Sequence, residues 1–315
     1  MNNKIILIGN IYNEFNDDFI SDFKSRIILT YRYNIPSLHN YSSDIGWGCT
    51  IRSGQMILAE TLLRMNLGRE WRLYHNKSHS LAHKNILNYF IDVPSKDHFF
   101  SIQNITHYGL KYNKNIGDWY GPETISKVIR DIVNSIDQVK LKIYIPENND
   151  IIIDDIKILS PNFQNILILI PLRLGLTNIN DQYLKYLFDF LELTQSVGFI
   201  GGKPTKSFYF VGCKNNDFIY LDPHNNQNLI DYENFFPKLN DLLSYHNKDI
   251  NLIDSKTIDP SLTIGFFIKN EQDFDKFKNS LSKIFKNNNI FNINQSKVDY
   301  NYKSSEIVND EWEFI

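Results

Sequence analysis

Cysteine is scarce in this chain, with only Cys49 and Cys213 among 315 residues. Two thiols cannot build a disulfide framework, which excludes the stapled secreted domains and makes a reducing, cytoplasmic setting the expectation. Charge of one predominant sign is also missing. Lys and Arg number 33 against 36 Asp and Glu, a formal charge of −3, so no global basic field exists and nucleic acid is not expected as a partner. No apolar run reaches the length that spans a bilayer. The apolar patch in "MNNKIILIGNIYNEFNDD" is too short, and too soon followed by acidic residues, to read as a secretory signal. Internal repeats, heptad arrays and long Gly/Ser linkers are absent. What remains is an ordinary globular composition, 42% hydrophobic and 22% charged. The length suits one large domain or two small ones with a core that needs no disulfide or structural metal.

Hydrophobic periodicity supplies the elements. Met56, Ile57, Ala59, Leu62 and Leu63 recur at helical spacing between Arg52 and Leu67. "GPETISKVIRDIV" (121–133) predicts a second helix with Pro122 early, and "DQYLKYLFDFLEL" (181–193) and "EQDFDKFKNSLSKIF" (271–285) predict two more. "NILILIPLRLGL" (165–176) is a buried-strand pattern ended by Pro171 and the polar stretch from Thr177. "TIGFFI" (263–268) is another strand, and 206–227 reads as a hairpin turning through Lys214-Asn215-Asn216. Helices early and strands later, without regular βαβ alternation, predict an α+β fold. The final "SSEIVNDEWEFI" is polar and acidic up to its last four residues and reads as a tail.

The stretch "DIGWGCTIRSGQMILAETLL" (44–63) sets one cysteine after two glycines, where a helical pattern begins. Thiolate is the reactive form of cysteine, and an ordinary thiol supplies little of it at neutral pH. A helix N-terminus offers unpaired N–H groups and partial positive charge, both of which favour an anion. Gly46 and Gly48 permit the tight approach such a site needs. Cys49 is thus a candidate nucleophile whose own N–H could face a developing oxyanion. The same pattern also fits a small buried hydrophobe, and the local sequence leaves both readings open.

A thiolate needs an imidazole partner, and that imidazole needs a carboxylate to hold its tautomer. "YLDPHNNQ" (220–227) offers Asp222 and His224 two apart, so that on an extended segment both face one way. A capping Asp and a turn His are the plain alternative. His75, His79 and His83 fall at i, i+4 and i+8, but lack a general base or fourth ligand at useful spacing, so a solvated face is expected and no metal. Cys213 ends an aromatic strand and reads as structural. "GFIGGKP" (198–204) lacks the ending of a phosphate loop and reads as a flexible flap, with Gly201, Gly202, Lys203 and Pro204 around its hinge. Trp119 in "IGDWYGPE" is either core or a clamp over a narrow groove.

Together, "LTYRYNIP" (29–36), "SSDIGWGCTIRSGQMILAETL" (42–62), "IGDWYGPETISKVI" (116–129), "ILIPLRLGLTNIN" (168–180), "GGKPTKSFYFVG" (201–212), "FIYLDPHNNQ" (218–227) and "DPSLTIGFF" (259–267) resemble the autophagy-specific cysteine proteases, the autophagin family. They occur in family order from about Tyr31 to Phe267. The resemblance implies a papain-like α+β core with a small auxiliary subdomain over 1–295, reduced between Val133 and Ile166, and a tail over 296–315. It implies a thiol protease, without cofactor, that processes the ubiquitin-like autophagy modifier at a C-terminal glycine and frees it from phosphatidylethanolamine, with transient membrane proximity. By position it makes Cys49 the nucleophile, His224 the acid/base, Asp222 its orienting residue and Tyr31 the oxyanion-hole hydroxyl. Trp119 is similar to the tryptophan over the substrate groove, and the loop around Gly198–Lys203 to the regulatory flap, with Gly201, Gly202, Lys203 and Pro204 as substrate-binding residues. Ser53 stands where some relatives carry a second cysteine. Trp312 and Ile315 are similar to a short motif that adds a strand to the modifier. Two rivals stand beside this reading: a catalytically idle adaptor that binds the modifier through groove and tail, and another papain-like hydrolase or amidase.

Overall fold

The computed structural model describes residues 4–73, 81–230, 243–246, 249–285 and 289–297. Strands β1 (Ile5–Leu7) and β2 (Asn10–Tyr12), helix α1 (Asp17–Lys24) and strands β3 (Arg32–Leu38) and β4 (Tyr41–Ser43) lead to the long helix α2 (Cys49–Leu67). Helices α3 (Leu81–Asn88), α4 (Ile102–Gly109) and α5 (Pro122–Asn134) follow. The strand-rich half comprises β5 (Lys142–Tyr144), β6 (Asp150–Ile152), α6 (Ile153–Leu159), β7 (Ile166–Arg173), α7 (Asp181–Glu192), β8 (Ser196–Lys203), β9 (Lys206–Lys214) and β10 (Asp217–Leu221). It ends with β11 (Gln227–Asn228), β12 (Asn251–Asp254), β13 (Ser261–Ile268), α8 (Glu271–Ile284) and β14 (Asn292–Asn294).

The main sheet runs β12-β10-β9-β8-β13-β7-β5, with β1 paired to β9 and β2 paired to β1. Strand β8 pairs with β9 as far as Phe210, and β1 takes over that edge from Gly212 to Lys214. Pairing is antiparallel except between β5 and β7. Alternation along β13 divides the core into two layers. Gly265 abuts Ile57 of α2, whereas Phe266 packs against Phe190 of α7 and Phe277 of α8, with ring centroids 5.7 and 4.7 Å apart. Helix α2 therefore covers one face and the pair α7/α8 the other.

The predicted helices all form, but α2 starts earlier than its periodicity indicates. From Cys49 to Arg64 every residue is buried, including Arg52, Gln55, Glu60, Thr61 and Arg64. The helix packs on β8, β9, α3 and α5 at once. A helix enclosed on all sides has no polar face, so an apolar stripe under-reports its extent. Strand β7 runs through Pro171 instead of ending there. Strand β5 covers only Ile166, Leu167 and Ile168, so the far edge of β7 is open at Pro171 and a missing N–H is tolerated.

Two other expectations are corrected. Residues 198–202 form no flexible flap: Gly201 and Gly202 are buried in β8 and paired with Phe208 and Ser207 of β9. A Cβ on Gly202 would lie 1.9 Å from the Lys206 carbonyl oxygen, so this glycine permits close strand approach and does not act as a hinge. Only the turn 203–206, which carries Lys203 and Pro204, is exposed. His83 is buried as well. Its Nε2 lies 3.1 Å from Nε2 of His246, and its ring packs on Trp71. His75 and His79 lie outside the described residues. Among the described residues no helix is long and apolar enough to cross a membrane.

The buried charges of α2 are paired. Glu60 accepts from Arg26 Nη1 at 3.1 and 2.9 Å and from Arg64 Nε at 2.8 Å. Removing one partner strands the others away from water. Glu60→Ala is expected to lower stability by about 3–5 kcal/mol, read as a reduced urea midpoint; an unchanged midpoint would show that the arginines find other partners.

Candidate active site

The chain enters α2 through a turn closed on Asp44, whose carbonyl accepts the N–H groups of Trp47 at 3.3 Å and Gly48 at 2.9 Å. Gly46 lies in the left-handed region at φ +89°. Gly48 packs so closely that a Cβ would lie 2.4 Å from Asp44 Oδ2. Cys49 is thereby the first helical residue, where the N–H has no intrahelical acceptor. Its carbonyl accepts from Ser53 Oγ at 3.0 Å.

Asp222-Pro223-His224 leaves the end of β10 as a turn, not as the extended segment expected from the sequence. Asp222 Oδ1 accepts both the His224 backbone N–H at 3.0 Å and the ring Nδ1–H at 2.5 Å. A short carboxylate side chain bonding two residues ahead is an Asx turn, and it brings the pair together more tightly than alternation on a strand could. The same turn captures the tyrosine. Tyr31 donates its N–H to the Pro223 carbonyl at 2.9 Å, and its own carbonyl accepts from Gln227 N–H at 3.0 Å. The Tyr31 and His224 rings meet edge to face, 5.5 Å apart.

These groups converge on the Cys49 sulfur. Burial alone would raise the thiol pKa. His224, the Ser207 backbone N–H, the Trp119 indole N–H and the imidazolium charge outweigh it and hold the thiol at about 7. Burial disfavours the His224 imidazolium, but the hydrogen bonds and charges of Asp222 and Cys49 raise it to about 9. His224 Nε2 is buried and makes no aligned hydrogen bond; its partner is the sulfur, in an electrostatic contact. Asp222 would be raised by burial and is instead lowered by the His224 ring and backbone N–H. Burial and the neighbouring Cys49 push the Tyr31 phenol well above its ordinary value, so it stays a donor at any physiological pH. Trp119 remains 47% exposed, so it is not core, and its indole N–H is among the groups that favour the ionised sulfur. Thiolate, imidazolium, carboxylate and fixed donors form an array suited to nucleophilic acyl transfer.

Cys49, Asp222, His224, Tyr31 and Trp119 are thus brought together. Gly201 and Gly202 lie one strand away, in the ladder opposite Phe208 and Ser207, and Lys203 and Pro204 lie in the adjoining turn. Trp312 and Ile315 lie outside the described residues. Sequence reasoning missed Ser207, which acts through a backbone N–H that any residue possesses. It also passed over Asp44 and Arg52, although both stand within the quoted cysteine stretch. A cleft of about 800 Å³, lined by Pro122, Lys127, Pro146, Arg173 and Leu262 among others, contains none of the converging residues. Among the described residues no group of three or more His, Cys, Asp or Glu converges to hold a metal ion.

Comparison with known proteins agrees with this chemistry. Residues 16–280 match the family profile described as the Peptidase C54 catalytic domain. The cysteine protease ATG4A of Xenopus laevis is 31% identical over 312 residues, covering 89% of this chain and 78% of its own length. ATG4B of Gallus gallus is 31% identical, with 88% and 80% covered, and human ATG4A is 31% identical, with 84% and 74% covered. The mixed sheet with α2 across it is the papain-like α+β fold of that family. With a profile match over most of its length and relatives above 30% identity, the chain belongs to the peptidase C54 family and is a cysteine protease.

Proposed function

We propose that this protease acts in autophagy and cleaves after the C-terminal glycine of the ubiquitin-like autophagy modifier, both to mature its precursor and to release it from phosphatidylethanolamine. The observation that carries the reading is a buried sulfur at the foot of α2, held acidic by His224, with the half-exposed Trp119 contributing its indole N–H. A glycine-ending tail is thin enough to pass beneath an indole that would exclude bulkier chains.

In this reaction the Cys49 thiolate attacks the terminal glycine carbonyl and forms the C–S bond. The oxyanion is received by the Tyr31 hydroxyl and the Cys49 N–H. His224 gives its proton to the departing nitrogen as the C–N bond breaks, leaving a thioester. Water then attacks, His224 takes its proton, and the C–S bond breaks to return the thiolate. Asp222 holds the Nδ1–H throughout. The acyl half is identical whether the leaving group is a peptide amine or the ethanolamine of a lipid, so one site serves both substrates. The lipid-linked substrate would draw the enzyme transiently to a membrane from the cytoplasm.

Cys49→Ala is expected to reduce turnover of a modifier precursor about ten-thousand-fold or more while binding persists. Mass spectrometry should find truncation after the terminal glycine with the wild type alone; truncation by the variant at a comparable rate would remove the nucleophile assignment and favour the adaptor reading. The pH dependence follows from the two shifted groups. Activity requires Cys49 deprotonated and His224 protonated, so kcat/KM should rise as pH passes about 7 and fall as it passes about 9. Burial alone would lower the His224 pKa and the Asp222 hydrogen bond is the largest influence that raises it, ahead of Cys49, so Asp222→Asn should move the falling limb to lower pH. A stationary limb in the kcat/KM profile would deny Asp222 that role.

A further inference from the structure

A buried carboxylate between the strand that follows Tyr31 and the cysteine helix touches both. Asp44 Oδ1 accepts the N–H of Arg32, the residue after Tyr31, at 2.7 Å. Its Oδ2 accepts Nε of Arg52, three residues into α2 from Cys49, at 2.7 Å. Its carbonyl binds the N–H of Gly48, immediately before Cys49, at 2.9 Å. Arg52 is clamped from the other side. Nη1 donates to Gln55 Oε1 at 3.1 Å, and Nη2 lies 2.8 Å from Asp92 Oδ2 in a charge contact without hydrogen-bond alignment. Those partners are themselves anchored: Gln55 Nε2 donates to the Phe100 carbonyl at 2.7 Å, and Asp92 Oδ1 accepts Ile102 N–H at 2.9 Å. The carboxylate cannot shift without breaking contacts on two elements. Tyr31 is suspended between this anchor and the histidine turn, since its own N–H is held by Pro223.

We propose that Asp44, locked by Arg52, is a positioning residue of the reaction: it sets where the Tyr31 hydroxyl stands relative to the Cys49 sulfur, and acts on the chemical step through Tyr31. The inference rests on the reading of Tyr31 as an oxyanion donor. A carboxylate suits the task because its two oxygens accept a strand N–H and a guanidinium together. Asparagine offers one acceptor and would turn an NH₂ toward the guanidinium donors. The geometry is demanding, because an oxyanion donor works only at about 2.7–3.1 Å from the oxygen it receives.

A double-mutant cycle with Asp44→Asn and Tyr31→Phe tests this in the full chain, using cleavage of a modifier precursor and the pH profile of Cys49 alkylation by iodoacetamide. Each single variant should lower kcat by about 100- to 1,000-fold with KM unchanged. The double variant should be no slower than Tyr31→Phe alone, because the two residues act as a unit. The alkylation profile of Asp44→Asn should match wild type, since the sulfur–imidazole pair is untouched. Losses that multiply, or alkylation that falls together with turnover, would overturn the positioning role and leave that of Tyr31 standing. An unchanged kcat in Tyr31→Phe would remove the oxyanion reading, and the positioning role with it. If Asp44→Asn does not fold, Arg52→Lys keeps the buried charge, loses the planar fork, and carries the same cycle under the same criteria.

Discussion

Helix α2 crosses the main sheet with its first sixteen residues shielded from water, so the charged side chains it carries must find partners inside the protein. Near its middle that demand is met by Arg26, Glu60 and Arg64, and near its foot by Asp44, Arg52, Gln55 and Asp92. The partners from outside α2 are Arg26 just after α1, Asp44 in the turn before α2, and Asp92, whose carboxylate also holds the first N–H of α4, so three separate segments are tied to the same helix. Burying charge is costly in itself, and a half-satisfied network is worse than none. What the arrangement provides is a helix that can neither slide nor rotate, and hence a sulfur at a fixed point.

Around that sulfur, burial and charge oppose one another. Removing water raises a thiol pKa and lowers that of an imidazole, which would leave both groups neutral. Here the Asp222 hydrogen bond and the mutual attraction of sulfur and ring exceed the desolvation, so the pair is biased toward its charged form. Exclusion of water also strengthens the fixed donors that point at the site. Trp119 adds to this balance, since its indole N–H favours the charged sulfur although the ring is half exposed.

The β8–β9 hairpin shows a second use of close packing. Its glycines read as hinges because glycine is permissive, but that freedom is spent on bringing two backbones together. The ladder places Ser207 opposite Gly202 and directs its N–H at the sulfur. Any mobility on this side of the site belongs to the turn 203–206, where the side chains are exposed.

Local chemistry carried a large share of the outcome. The glycines before Cys49, the helical spacing after it, Pro122 at the start of α5 and the aromatic hairpin from Lys206 to Leu221 are short-range patterns, and the chain folds as they indicate. The chemical identities of sulfur, imidazole, carboxylate and phenol were also legible, because reactive groups are distinctive even in isolation. The full burial of α2, the continuation of β7 through Pro171 and the enclosure of His83 were not, because each depends on what other segments place alongside. The same holds for Ser207 and Asp44: a backbone N–H carries no mark in a sequence, and a carboxylate reveals its partners only when distant strands and helices converge. The sequence alone determined which groups could react; the tertiary structure decided which of them meet, because burial and distance are properties of the packed chain.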